Sequence, residues 1–133
     1  MDGRPRPPRK PAADGRRATG LAAEREAARH LTALGYRIVE RNWRCRSGEI
    51  DLIALDGGVL VFVEVRSRRN PTRFGTAVEA ITPRKRAQVR AVAQIYLAMS
   101  PSARDSSVRF DVVAVTFDGE GQVAELRHLE GAF

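Results

Sequence analysis

The stretch SGEIDLIALDGGVLVFVEVR, residues 47–66, decides the fold because it has the pattern of a β-hairpin. Its two arms are rich in Ile, Leu and Val, and the Gly57-Gly58 pair between them suits a two-residue turn, where glycine supplies positive φ angles. Counting back from that turn places Asp51 opposite Glu64. Because opposed residues have Cβ atoms about 4.5–5.5 Å apart, two carboxylates are expected on one face of the sheet.

Two opposed carboxylates destabilise a sheet and raise each other's pKa, so a compensating positive charge is expected beside them. A divalent cation is the simplest candidate, since Mg²⁺ takes oxygen ligands from one or two carboxylates and from substrate phosphates. The alternative is a structural ion-pair network in which Arg66, which the register places opposite Glu49, neutralises the acids. A three-residue loop would send Glu64 to the other face and remove the site.

The length and charge of the chain predict one folded domain with a polyanionic partner. Its 133 residues can bury a core, and its net charge is +7 with a pI near 10.9. Residues 1–17 hold six basic and two acidic residues and four of the seven prolines, so they are expected to form a disordered basic tail before a domain spanning residues 18–133. Lys10 and Lys85 are the only lysines among 23 basic residues.

The remaining composition excludes several classes of protein. The single cysteine, Cys45, cannot form an intramolecular disulfide, and no apolar run is long enough for a membrane span or a secretory signal. A cytoplasmic protein that does not enter a membrane is therefore expected. His30 and His128 lie too far apart in the sequence to match the ligand spacing of a zinc site.

A first helix is expected from about Gly20 to Leu34, with Thr19 as its N-cap and Gly35 as its terminator. Glu24 falls within the apolar arc of that helix, where a carboxylate is costly unless it is paired or bound to a cation. It either reaches toward the acid pair or lies at the rim of the core. The other members of the arc are Leu21, Ala23, Ala27, Ala28, Leu31 and Leu34.

The segment after the hairpin concentrates arginine. Residues 67–80 are polar and predict a loop beside the acids, and Thr82-Pro83 opens a second helix with an apolar stripe of Val89, Val92, Ile95 or Tyr96, and Met99. These charges indicate either a phosphate-contacting surface or a solvated helix face. The candidate nucleic-acid-binding residues are Arg68, Arg69, Arg73, Arg84, Lys85 and Arg86.

The predicted order of elements is αβββαββ, with a first strand at residues 36–43, an apolar strand at residues 108–117 and a short last strand ending near Leu129. Antiparallel strands followed by a helical crossover indicate an α/β sheet flanked by helices.

The sequence resembles the YraN family of bacterial proteins, which are similar to PD-(D/E)xK nucleases and to Holliday-junction resolvases. The resemblance covers about residues 19–117 and implies a restriction-endonuclease-like αβββαβ core with a mixed sheet flanked by helices. It is carried by the Glu24 helix with Ala27-Ala28, Gly35-Tyr36, Arg41-Asn42-Trp43-Arg44, Gly48 to Ala54, Val61 to Arg66, Phe74-Gly75, Thr82 with Lys85, and Arg109 to Val113.

The resemblance implies a nuclease that hydrolyses phosphodiester bonds in DNA, including branched or repair intermediates, with Mg²⁺ or Mn²⁺ as cofactor. Asp51 and Glu64 would be the metal ligands, Glu24 an additional acid, Glu49 a neighbour of the pair, and Arg66 would take the lysine position of the motif. Arginine stays protonated, so it can orient water and stabilise charge but cannot exchange a proton. A slow or altered enzyme is the consequence, and a homodimer is compatible with the family.

Two other functions remain open from the sequence. The first is a nucleic-acid-binding module that keeps the nuclease fold but has lost cleavage, for which Arg66 is the main support. The second is a protein-interaction adaptor whose arginines serve solubility, and this would show no salt-dependent affinity for nucleic acid.

Overall fold

The structure is a computed structural model that describes residues 11–69 and 81–133, with side chains from residue 18 onward. The elements follow the predicted order αβββαββ, with one 3-10 turn, Pro101–Ala103, between the second helix and the fourth strand. They are α1 (Pro11–Ala33), β1 (Arg37–Cys45), β2 (Gly48–Asp56), β3 (Val59–Arg69), α2 (Pro83–Met99), β4 (Ser107–Phe117) and β5 (Val123–Leu129).

Helix α1 begins at Pro11, about nine residues before its predicted start, so the prediction of Thr19 as N-cap is wrong. Ala and Arg are strong helix formers and fill much of residues 12–18, and proline is well tolerated in a first helical turn. Residues 11–17 of the predicted tail therefore belong to the helix, while residues 1–10 lie outside the described residues. The end of α1 is as predicted, with Gly35 at φ 95°.

Helix α2 begins where the sequence predicts. Thr82 is its N-cap, and the Thr82 hydroxyl accepts a hydrogen bond from the Lys85 backbone N–H at 3.1 Å, with Pro83 in the first turn. Val89, Val92 and Tyr96 are buried as predicted.

The five strands form one mixed sheet in the order β1-β2-β3-β4-β5. All neighbours are antiparallel except β3 and β4, which are parallel and are joined through α2. The predicted α/β class is confirmed. Strand β3 runs to Arg69, where Arg69 pairs with Phe117, so residues 67–69 are strand and not loop. The rest of the predicted loop, residues 70–80 with Arg73, lies outside the described residues.

The Gly57-Gly58 turn sets the hairpin register as predicted, pairing Asp56 with Val59 and Leu55 with Leu60. Of the two glycines only Gly57 has a positive φ, at 61°. One positive φ at the first central position is the pattern of a type II′ turn.

The sheet is covered on both faces. Alternate residues of β3 enter opposite cores, Val61 and Val63 beside α1, and Leu60 and Phe62 beside α2. Leu21 of α1, Leu34 just after α1 and Met99 of α2 were expected in the core but are 48%, 53% and 67% exposed. Leu34 follows the last residue of α1, and Met99 is the last residue of α2.

A second buried acid, Asp111, anchors the C-terminal residues to the sheet. It is fully buried and accepts hydrogen bonds from Arg109 at 2.8 and 2.9 Å, from the Gly131 N–H at 3.0 Å, and makes one with His128 at 2.8 Å. Burial raises the pKa of Asp111, but these partners outweigh it and hold the pKa at about 2. Arg109 also donates to Asp56 at 3.1 Å, which ties β4 to the hairpin turn.

Replacing Arg109 with methionine should lower the free energy of unfolding by about 3–5 kcal/mol, because it leaves the Asp111 carboxylate buried without its main cation. Urea denaturation measures the loss. Arg44→Met is the control, since it breaks an ion pair with Glu49 in which both side chains are well exposed, 75% and 44%; that change should cost less than about 1 kcal/mol. Equal losses in the two variants would contradict this account.

Candidate functional site

The β2–β3 ladder ends three residues before the predicted pair of Glu49 with Arg66, and the candidate site lies at that end. Its last backbone pair is Leu52 with Val63, and beyond it the Asp51 carboxylate accepts the Val65 N–H at 2.8 Å. A side-chain oxygen thus takes the place of a strand carbonyl. The predicted ladder pair of Asp51 with Glu64 is wrong in this detail, because Asp51 turns its side chain toward the neighbouring strand's backbone.

Asp51 nevertheless lies beside Glu64, because its carboxylate is hydrogen-bonded to the N–H of Val65, the next residue along β3. Burial is the main reason that the pKa of Asp51 is raised to about 7, and the charge of Glu64 raises it further. Glu24 adds to the rise, while the Val65 N–H and Lys85 oppose it. The prediction that the hairpin brings these two acids together is therefore correct, and their neighbours compensate the two carboxylates only in part.

Glu64 lies between two cations although it is only 4% exposed. Its Oε2 is 3.6 Å from Lys85 Nζ and 3.8 Å from Arg66 Nη1. Burial raises the pKa of Glu64, Glu49 adds to the rise, and Lys85 and Arg66 lower it without cancelling it. Arg66 is thus beside the acids, as the sequence predicted, but a lysine from another element stands equally close.

The position of α2 explains why Lys85 reaches the sheet. The Thr82 cap fixes the first turn of the helix, and one turn after Lys85 the Gln88 Nε2 donates to the Ser47 carbonyl at 3.2 Å. These contacts hold the start of α2 against the β1–β2 turn. Lys85 was expected with Arg84 and Arg86 on a phosphate-binding surface, and its contact with Glu64 was not predicted. The alternation of side chains along β3, which turns Glu64 toward α2, is the sequence signal that could have indicated this contact.

Glu24 reaches toward the acid pair and is held there by Asn42. Asn42 Nδ2 donates to Glu24 Oε1 at 3.0 Å, and the charge of Glu24 raises the pKa of Asp51. Asn42 has φ 51°, in the left-handed region that asparagine tolerates better than most residues. Sequence reasoning did not assign Asn42 a role, although it lies within the Arg-Asn-Trp-Arg motif.

Glu49 pairs with Arg44 on β1 at 2.9 Å, and the predicted Glu49–Arg66 ladder pair is wrong because β2 and β3 have already separated there. Of the other predicted basic residues, Arg84, Arg86 and Arg69 are exposed and Arg68 is half-buried.

The donors available to a metal ion are carboxylates. Within residues 18–69 and 81–133, no group of three or more His, Cys, Asp or Glu side chains is arranged to hold one. Asp51 and Glu64 could therefore offer two oxygen ligands, with the remaining positions left to water or substrate. His30 and His128 do meet, with Nε2 and Nδ1 3.3 Å apart, but they belong to the Asp111 network.

Residues 23–115, which include all these acids and Lys85, match the sequence profile of the uncharacterised protein family UPF0102. The chain belongs to this family. It is 52% identical to a UPF0102 protein of Frankia alni over 116 residues, covering 87% of this chain and 94% of the relative. It is 49% identical to one from Pelotomaculum thermopropionicum, covering 91% and 99%, and 44% identical to one from Stutzerimonas stutzeri, covering 86% and 93%.

The UPF0102 match confirms the resemblance to the YraN family drawn from the sequence. In the described part of this UPF0102 chain, no helix is both long and apolar enough to cross a membrane.

Asp51→Asn should stabilise the metal-free UPF0102 protein, and the gain should be larger at pH 8 than at pH 5. The carboxyl pKa is about 7 in the folded chain and 3.8 ordinarily, so the folded state binds the proton more tightly. The stability from this group is therefore lost as pH rises from about 4 to 7, by an amount on the order of a few kcal/mol. Asparagine cannot ionise and keeps an oxygen for the Val65 N–H.

Thermal denaturation in a chelating buffer from pH 5 to 8 measures the difference between variant and wild type. Glu125→Gln, at an exposed acid of β5, is the control and should follow the wild-type pH dependence. A constant difference across the range would contradict the buried, coupled state of Asp51.

Proposed function

We propose that this UPF0102 protein is a metal-dependent nuclease that hydrolyses phosphodiester bonds in DNA. The observation that carries the proposal is the only partly compensated carboxylate pair, Asp51 and Glu64, at the point where β2 and β3 separate. Buried acids with raised pKa values in one place are more frequent at catalytic sites than in structural ion-pair networks. The motif resemblance and the basic charge of the chain support the same chemistry.

Mg²⁺ or Mn²⁺ is the cofactor that best fits the donor set. Asp51 and Glu64 would hold it, and Glu24, fixed by Asn42, would stand as an additional acid nearby. Two carboxylates are a typical protein contribution to Mg²⁺, which keeps several waters and takes the rest of its ligands from substrate phosphate. When bound, such an ion supplies Lewis acidity toward phosphate and water.

Lys85 and Arg66 would stabilise the charge that develops on the scissile phosphate. Both cationic groups lie within 4 Å of the Glu64 carboxylate, and Glu64 is one of the two residues that would hold the ion. An ammonium is a compact charge with three rotatable donors and can orient a water, whereas a guanidinium is a planar fork suited to binding two phosphate oxygens. We assign Lys85 the water-orienting role of the motif lysine, and Arg66 the binding of phosphate.

The purified protein should cleave branched, single-stranded or duplex DNA with Mg²⁺ or Mn²⁺, and Asp51→Ala or Glu64→Ala should abolish cleavage. Titration with Mn²⁺ should raise the melting temperature of the wild type but not of these variants, because an ion that binds only the folded state stabilises it. A wild type that binds neither ion, and whose DNA affinity survives Asp51→Ala unchanged, would instead support the non-catalytic binding module.

Lys85→Met should slow cleavage by about 10²–10³-fold, the usual loss when one donor to a developing charge is removed. The double variant Lys85→Met with Arg66→Lys should recover part of that rate, because it returns an ammonium to the other side of Glu64. Arg104→Met, at an exposed arginine that follows α2, is the control and should stay within about threefold of wild type.

Stabilisation by Mn²⁺ should be retained in Lys85→Met, which separates the role of the ammonium from metal binding. If Lys85→Met cleaves at the wild-type rate while Arg66→Met is inactive, Arg66 carries the role and this assignment is wrong.

A further inference from the structure

A basic groove runs between helix α1 and the edge strand β1, and we propose that it binds one strand of nucleic acid by its phosphates and leads that strand to the acid pair. This site is separate from the basic residues that the sequence assigned to nucleic acid, which lie on α2 and after β3. The inference rests on the proposed function for the identity of the ligand, and it adds the path by which the ligand reaches the carboxylates.

The groove consists of two cavities that share the walls Arg25 and Arg41. The larger cavity has a volume of about 540 Å³ and continues along α1 to Ala33. The smaller, of about 120 Å³, is more enclosed, and Glu24, Asn42 and Leu52 line it. Since Glu24 acts electrostatically on Asp51, the enclosed end of the groove opens beside the candidate site.

The pairing register of β1 with β2 places Arg41 in the groove, close to the candidate site. Arg41 pairs with Leu52 in the β1–β2 ladder, and Leu52 is the last residue of β2 to pair with β3 before Asp51. The cation therefore stands one residue from the point where the strands separate. A bulge between Ile38 and Glu40 shifts the ladder upstream of it, and such irregularities re-aim side chains at sheet edges.

The charges along the groove are available to a ligand. Arg25 and Arg41 are exposed, and within the described part of the chain no carboxylate lies in ion-pair range of either. Arg29, one helical turn beyond Arg25, has only a 3.9 Å contact with Glu26 on its own helix. Residues at this spacing have Cβ atoms about 5–6 Å apart, so the helix presents two cations in a row opposite Arg41.

The shape of the groove favours a single strand over a duplex or a folded partner. Small side chains, Ala28, Thr32 and Ala33, form its remaining surface, so the backbone of a ligand can pass close to the helix. The larger cavity has the size of a small-ligand site, so a flexible single strand can enter it more deeply than a rigid double helix. A repeated negative charge along a flexible chain matches the row of arginines, and the contacts would be independent of base sequence.

The test measures binding without cleavage, using a fluorescent single-stranded DNA of mixed sequence in a chelating buffer. The double variant Arg25→Glu with Arg41→Glu should bind at least tenfold more weakly than the wild type at about 0.1 M salt. The salt dependence should also fall by about 1.4 in log–log slope, because each lost phosphate contact removes about 0.7 for a single strand.

Two further double variants reverse the same amount of charge elsewhere. Arg104→Glu with Arg127→Glu changes exposed arginines after α2 and on β5, and should alter affinity less than threefold. Arg84→Glu with Arg86→Glu tests the surface on α2. Circular dichroism confirms that each variant is folded, which is expected because all six side chains are exposed.

Three results would contradict the groove as the binding path. They are an equal loss of affinity in all three double variants, a loss of affinity in the α2 variant alone, and tighter binding of the wild-type protein to blunt duplex than to single strand. An acidic polypeptide that competes as well as DNA does would also overturn it. None of these outcomes depends on cleavage. A protein that cleaves no DNA but still needs Arg25 and Arg41 to bind it would contradict the proposed nuclease function and support the groove as the binding site.

Discussion

The hydrogen bond from the Val65 N–H to the Asp51 carboxylate is the contact on which the site depends. A backbone donor inside a covered sheet must find an acceptor, and at this point the opposite strand has turned away. Asp51 supplies the acceptor and is drawn into the sheet as a result. Its burial and the proximity of Glu64 then raise its pKa to about 7, so the constraint that completes the strand also produces an acid pair suited to a cation.

The same sheet holds two buried aspartates whose environments push their pKa values in opposite directions. Asp111 is surrounded by Arg109, His128 and a backbone N–H, and its pKa is about 2. Asp51 has one backbone N–H and two neighbouring acids, and its pKa is raised. The partners around each carboxylate, and not its burial alone, set the direction of its pKa shift. Asp111 fastens the C-terminal residues to the hairpin, whereas Asp51 lowers the stability of the metal-free chain above neutral pH.

Each layer of the fold contributes charged side chains to the site. Helix α1 brings Glu24, the separating strands bring Asp51 and Glu64, and helix α2 brings Lys85. The alternation of side chains along β3 is what allows this, because Val63 and Val65 face α1 while Glu64 faces α2. The acids therefore lie at the boundary between the two cores, where side chains from both helices can reach them.

The sequence by itself determined the order of elements, the hairpin turn and the meeting of Asp51 with Glu64, because a two-residue glycine turn and a period-two apolar pattern act between residues close in the chain. It misplaced the start of α1, where Thr19 offers a cap but strong helix formers precede it. Only the tertiary structure decided that the ladder ends at Leu52, that Asn42 holds Glu24 and that Lys85 stands at Glu64. Those contacts depend on how two helices lie on a twisted sheet, and no local pattern of residues records that placement.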